Sequence, residues 1–229
     1  MSKNFTKNKL NSGVTLIELL VVIVIFMIIT SITIFNYGKF NSSISIQNLA
    51  DDIALSIRKA QGYAIGVRGA NDVFNNGYGV HFTINPLVVG KEYLASNESF
   101  VLFADLPDSG ITNQKYDYGS GACGSTPLAN QECMEVLNIV SADQISSITF
   151  TEGDNMTVVT GQSTLDILFK RPNPEPQFCY RINPSTTTCD SSTNITLVKL
   201  KISNIVNPDI QKIITISNNG LINVSNDGN

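Results

Sequence analysis

One carboxylate stands inside the longest apolar run of the chain. From Val14 to Phe35 the sequence reads VTLIELLVVIVIFMIITSITIF, 22 residues with Glu18 as their single charge. A charge within an apolar span costs about 2.5–3.5 kcal/mol on insertion scales and is read by default as functional, in need of a partner. The other chemistry-bearing residues are sparse. There are four cysteines, Cys123, Cys133, Cys179 and Cys189, and one histidine, His81. No C-x-x-C spacing supports zinc, and no nucleophile stands near His81 in sequence. His81 alternates with Val80 and Phe82 and reads as a surface residue. Asp105, Asp108 and Asp117 surround Ser109-Gly110 and are weak candidates for calcium, because they lack EF-hand spacing and acidic loops are usually just solvated. Gly119 to Gly124 fits G-x-G-x-x-G, yet it follows no clear strand and opens no amphipathic helix, so it is a loop and not a dinucleotide site. This inventory does not favour an enzyme, and no cofactor is expected.

The element that carries Glu18 explains more. A helix over Val14–Phe35 would be about 33 Å long, enough to cross a hydrocarbon core of roughly 30 Å. A secretory signal has a shorter apolar stretch, typically about 7–15 residues, and ends at an A-x-A-like site, which TSITIFNYGKF does not offer. Lys3, Lys7 and Lys9 precede the span and Lys39 follows it, with Asp51 and Asp52 beyond. The positive-inside rule then places the N-terminus in the cytoplasm and everything after Phe35 outside. All four cysteines would lie in an oxidising compartment, where disulfides persist.

Four cysteines permit three connectivities. Local pairing, Cys123 with Cys133 and Cys179 with Cys189, is favoured because each pair closes a short loop-like interval, GSTPLANQE in one and YRINPSTTT in the other. Crossed pairing would need tertiary proximity across several strands.

Around Glu18 the residues Ser12-Gly13-Val14-Thr15-Leu16-Ile17-Glu18 resemble the type III prepilin signal. In that signal a short basic leader ends in Gly, an apolar residue follows, and Glu is the fifth residue after the Gly. Val14 stands where the family most often has Phe. The resemblance implies a membrane-embedded prepilin peptidase that cuts between Gly13 and Val14 and N-methylates Val14. Glu18 would then pair with the cationic N-terminus of a neighbouring subunit during filament assembly, setting the register between them.

Beyond the span, Ile46, Leu49, Ile53, Ile57, Ala60 and Ala64 recur at spacings of three and four, one face of a helix that continues to Gly66 and Gly69. Short β signals follow at Val80–Ile84, Phe100–Ala104, Ile145–Thr151, Leu165–Phe169, Leu197–Ser203, Lys212–Ser217 and Leu221–Val224. Asn219-Gly220 predicts a type I′ hairpin, and Arg171-Pro172-Asn173-Pro174 predicts a strand end. The expected fold is α+β: a long N-terminal helix with a transmembrane half and an amphipathic half, packed on an antiparallel β-sheet globular domain. In domains, this is a leader at 1–13, the membrane half at 14–35, the amphipathic half at 36–68 and an extracytoplasmic β domain at 69–229. With FVLFADL, LDILFKRPN and IITISNNGLINV in its β region, the chain looks like the type II secretion pseudopilin H and related minor type IV pilins.

Two alternatives stay open. One is a competence-type minor pilin that contacts DNA. The other is a bitopic membrane protein whose β domain binds an extracellular ligand. A formal charge of −4 and a pI near 4.9 argue against general nucleic-acid binding. Only 15% of residues are charged, against roughly 25% in ordinary soluble domains, the difference going to Asn, Ser, Thr and Gly. The partners implied by the resemblance are the prepilin peptidase, other pilins, the assembly platform and, before assembly, membrane lipid.

Overall fold

The computed structural model describes residues 13–66, 76–84, 96–107, 113–117, 123, 132–152, 155–159, 164–181, 189 and 195–226. Among the described residues one helix, α1 (Leu16–Ile65), is followed by ten strands. The chain divides into two compact units, Met1–Asn41 and Ser42–Asn229.

In the first unit the helix is apolar on every side. Its large hydrophobic residues from Val14 to Ile34 are between 44 and 81% exposed. Such a surface suits hydrocarbon and not water. The helix is long and apolar enough to cross a membrane. Thr30 and Thr33 donate their hydroxyls back to the carbonyls of Phe26 and Ile29, so these polar groups also suit an apolar solvent.

In the second unit the same helix becomes one-sided. Ile46, Leu49, Ala50, Ile53, Ala54, Ile57, Ala60 and Ala64 are buried, while Asp51, Asp52, Leu55 and Arg58 are exposed. The expected stripe is therefore the core face. The last helical turn described has the Gly66 amide on the Gly62 carbonyl, and the expected limit at 68 lies outside the described residues.

The strands are β1 (Gly77–Thr83), β2 (Ser99–Asp105), β3 (Cys133–Asn138), β4 (Asp143–Glu152), β5 (Asn155–Val159), β6 (Thr164–Lys170), β7 (Asn173–Arg181), β8 (Ile195–Asn204), β9 (Gln211–Ser217) and β10 (Ile222–Asn226). They form two five-stranded antiparallel sheets, ordered β3-β2-β1-β6-β7 and β10-β9-β8-β4-β5. The helix stripe joins one face of each sheet in a single core that includes Tyr78, Phe82, Phe100, Ile148, Val198 and Ile214. The expected α+β arrangement is what the chain adopts.

Three strands escape the sequence pattern: β3, β5 and β7. The last begins where a strand end was expected. Arg171-Pro172 forms only the turn, and Pro174 and Pro176 lie within β7. They are tolerated because β7 is a sheet edge, where a missing N–H breaks no interior ladder. The Asn219-Gly220 hairpin is also not type I′, which needs positive φ at both residues. Only Gly220 has it, at 83°. The Gly220 amide bonds to the Ser217 carbonyl and the Ser217 amide to the Leu221 carbonyl, so the loop has three residues with glycine at the left-handed position.

At the Ser42 end of this unit, Asp143 joins three elements. Its carboxylate is fully buried and accepts from Ser45 of α1 at 2.5 Å, Ser141 at 2.6 Å and Asn204 of β8 at 2.7 Å. Removing it would leave these donors without an acceptor. Asp143→Ala should lower unfolding stability by about 2–4 kcal/mol in urea titration. The exposed neighbour substitution Val140→Ala should cost no more than about 0.5 kcal/mol. Equal effects from the two would remove Asp143 from this role.

Candidate functional site

The residues expected to act in assembly lie at the start of α1. Gly13, Val14 and Thr15 precede the first helical residue, Leu16. The Glu18 carboxylate accepts from the Thr15 amide and from the Thr15 hydroxyl, both at 2.9 Å, and the Glu18 amide donates to the Thr15 hydroxyl oxygen at 3.3 Å. This is a capping box, with Thr15 at the N-cap and Glu18 three residues on. The T-x-x-E spacing carries that signal in sequence, alongside the apolar context that drew attention to Glu18. Helix formation thus begins two residues after Val14, and the one carboxylate in the apolar run already has an intrachain partner.

His81 lies on the outward face of the first sheet, where sequence reasoning placed solvent. Gly79 and His81 alternate with the core residues Tyr78, Val80 and Phe82. They face a second apolar cluster of Val101, Phe103, Tyr116, Cys133 and Leu168. The aromatic ring of Phe103 lies directly over Gly79, where a Cβ would come within 2.7 Å of it and 2.6 Å of the Ile167 carbonyl. His81 is consequently not a surface residue. It is 3% exposed, and its Nδ1 lies 2.5 Å from Oδ1 of Asp166, its direct partner across β6. One hydrogen is shared between the two groups. Arg181 on β7 donates to the other oxygen of Asp166 at 3.3 Å. This group is closed beneath Tyr116, whose ring centroid is 5.0 Å from that of His81.

The signal for this double-sided burial is present in the sequence. Phe100 to Ala104 is five consecutive apolar residues, and both β2 and the apolar part of β6 lack the alternation of a half-solvated strand.

Glu132 holds the covering segment, residues 113–117, in place. Its Oε1 accepts from the Leu106 amide at 3.2 Å and its Oε2 from the Asp117 amide at 2.5 Å. The disulfides bond Cys123 to Cys133 and Cys179 to Cys189, each across ten positions. The first ties Cys123, packed against the second apolar cluster, to β3. The calcium candidates stand as follows. Asp105 is fully buried, Asp117 is taken by Asn113 and Lys115, and Asp108 lies outside the described residues. Among the described residues no three metal-ligating side chains converge.

Burial sets the charges of this layer. It pushes the Glu132 carboxyl up to about 9, reinforced by Asp105, and the Asp105 carboxyl up to about 6 against the pull of nearby backbone amides and Lys170. Burial and the Arg181 guanidinium push the Lys115 ammonium down. A carboxyl raised by folding stabilises fully below its unfolded value and loses that contribution as pH rises through the folded one. Stability should therefore fall from about pH 4 to 9, first through Asp105 and then through Glu132. Glu132→Gln, which cannot ionise, should flatten the urea-midpoint profile between pH 6.5 and 9 by more than about 1 kcal/mol. An unchanged slope in the variant would remove Glu132 as its source.

With this geometry in place, comparison with known proteins gives one match. The prokaryotic N-terminal methylation motif matches residues 8–34, which include Gly13, Val14, Thr15 and Glu18. No curated protein and no solved structure matches the chain. The motif supports a type IV prepilin-like protein, and it implies processing by a prepilin peptidase and assembly with other pilins.

Proposed function

We propose that the chain is a minor pilin or pseudopilin, a non-enzymatic structural subunit of a type IV filament. The observation that carries this reading is the methylation motif joined to the capped start of α1. The leader, residues 1–13, is cut after Gly13, and Val14 becomes the N-methylated terminus. Before assembly the subunit is stored in the cytoplasmic membrane as a single-pass protein. Lys3, Lys7 and Lys9 hold its N-terminal side in the cytoplasm, with residues 69–229 outside. A secretion pseudopilus and a surface pilus would both accept such a subunit. The resemblance of the β segments to pseudopilin H and the minor pilins favours a minor component. The subunit takes no cofactor in this role.

Glu18 does two things in this reading. In the stored subunit Thr15 satisfies its carboxylate, lowering the cost of placing it in hydrocarbon. During assembly the carboxylate takes the cationic N-terminus of an incoming neighbour. An unpaired charge in hydrocarbon is far costlier than a paired one, so that exchange selects one axial register.

Two outcomes are expected. In cells with the cognate peptidase, mass spectrometry of the mature chain should find N-methylated Val14 as the first residue. An intact Met1 terminus, or a cut near residue 36, would sink the prepilin reading. Glu18→Val should leave processing and membrane insertion unchanged while reducing recovery in sheared filaments at least tenfold, the equivalent of about 1.4 kcal/mol. Unchanged recovery would mean that Glu18 serves only as the helix cap.

A further inference from the structure

The second unit holds an open cavity of about 480 Å³, within the range of about 300–1,000 Å³ usual for small-molecule sites. Four separate segments line it: the covering segment, the β6–β7 turn with the first half of β7, the start of β8, and the β9–β10 loop. Its polar side chains are mostly amides, Gln114, Asn173, Gln177, Asn218 and Asn219, and all five residues are exposed. The lining carries one cation, Lys170, and one anion, Glu175, so its formal charge is zero. The Glu175 carboxylate is already oriented, accepting from the Asn173 side chain at 3.1 Å. Pro176 and Phe178 supply an apolar wall. Among the described residues Gln114 is the one non-glycine with positive φ, at 64°. A side chain in the left-handed region is held there at a cost, and such outliers gather at functional sites.

We propose that this cavity binds a neutral saccharide. Each side-chain amide presents a donor beside an acceptor, and neighbouring sugar hydroxyls, which both donate and accept, complete such pairs. The fixed Glu175 carboxylate takes hydroxyl donors in charge-assisted bonds. The Phe178 ring and Pro176 offer an apolar surface to the C–H face of a pyranose. Other ligand classes fit less well. An anion would meet one carboxylate for its one ammonium, and an apolar ligand would leave the amides without partners. A peptide strand added to β7 is also disfavoured, although β7 is a sheet edge. Pro176 stands opposite Phe169 of β6, and without an N–H it suits a position whose backbone groups face the free edge. There the edge offers a carbonyl and no donor, which interrupts strand pairing but accepts from a hydroxyl. Binding of this kind requires the fold of the second unit and not assembly into a filament.

The full-length chain in phosphatidylcholine nanodiscs, which carry no sugar head group, would be applied to a printed set of neutral and acidic oligosaccharides. The strongest neutral binder would then be titrated by calorimetry. Gln177→Ala and Asn218→Ala each remove one exposed amide and keep the backbone bonds at these positions, the β6–β7 ladder and the Asn218 amide on the Thr196 carbonyl. Retention of both disulfides on non-reducing gels checks folding. The expected result is binding of a neutral oligosaccharide that survives a tenfold rise in salt. Each substitution should weaken it about three- to tenfold, the loss expected of one hydrogen bond. Val140→Ala, outside the cavity, should leave it unchanged. An array on which no neutral oligosaccharide binds overturns the inference. Binding confined to acidic oligosaccharides and lost in high salt overturns the neutral class. Affinity unchanged in both amide variants puts the sugar elsewhere on the chain and overturns the site.

Discussion

A single helix here has to satisfy two solvents, and the rest of the molecule follows from that constraint. Backbone hydrogen bonds inside a helix are complete whatever surrounds it, so α1 runs from Leu16 to Ile65 while its surface changes character. Up to Ile34 it is apolar all round. From Ile46 it is apolar along one stripe, and that stripe is what the two sheets are built against. Neither sheet need close a core alone, since each lays one face on the same row of Ile and Ala side chains. Small residues at Ala50, Ala54, Ala60 and Ala64 allow the sheets close approach, and Ile46, Ile53 and Ile57 fill the spaces between.

The first sheet is unusual in being buried on both faces, and its second face is where the charges have gone. His81, Asp166 and Arg181 form a tie across three strands, while Glu132 and Lys115 lie on and beside the covering segment. Such groups are weak contributors to net stability, because their desolvation offsets much of their attraction. Their worth lies in direction. Register on this face is set by which side chains stand opposite one another: Asp166 opposite His81, and Phe103 over the bare backbone of Gly79. The Cys123–Cys133 link ties Cys123 to the same sheet, so the layer is held covalently as well as by hydrogen bonds.

Much of this was legible in the residues, and the exceptions have physical reasons. Apolar runs and periodicity read the span, the core stripe and seven strands, because each of those elements is apolar along at least one face. They missed β3, β5 and β7. Prolines in β7 look like a stop unless the strand is known to be an edge, and sheet order is a tertiary fact. His81 was misplaced for a related reason. Alternation tells which residues share a face, but not whether that face meets water, and here a segment from elsewhere in the chain covers it. The unbroken apolar runs of β2 and β6 were the local trace of that cover. At Glu18 two signals overlap on one residue, a cost in an apolar span and a helix cap. The capping partner, Thr15, is visible only when the three-residue spacing is read together with where the helix begins.

The scarcity of charge acquires a meaning from this distribution. Of the few ionisable residues, Asp105, Lys115, Glu132, Asp143, Asp166 and Arg181 are buried among protein groups and do not furnish the surface. What faces outward is correspondingly rich in amides and hydroxyls. Covering an amide or hydroxyl costs less than covering an ion, and both retain donors and acceptors for whatever arrives. A surface of this kind suits a subunit whose outside is to become an interior, packed against neighbours along a filament.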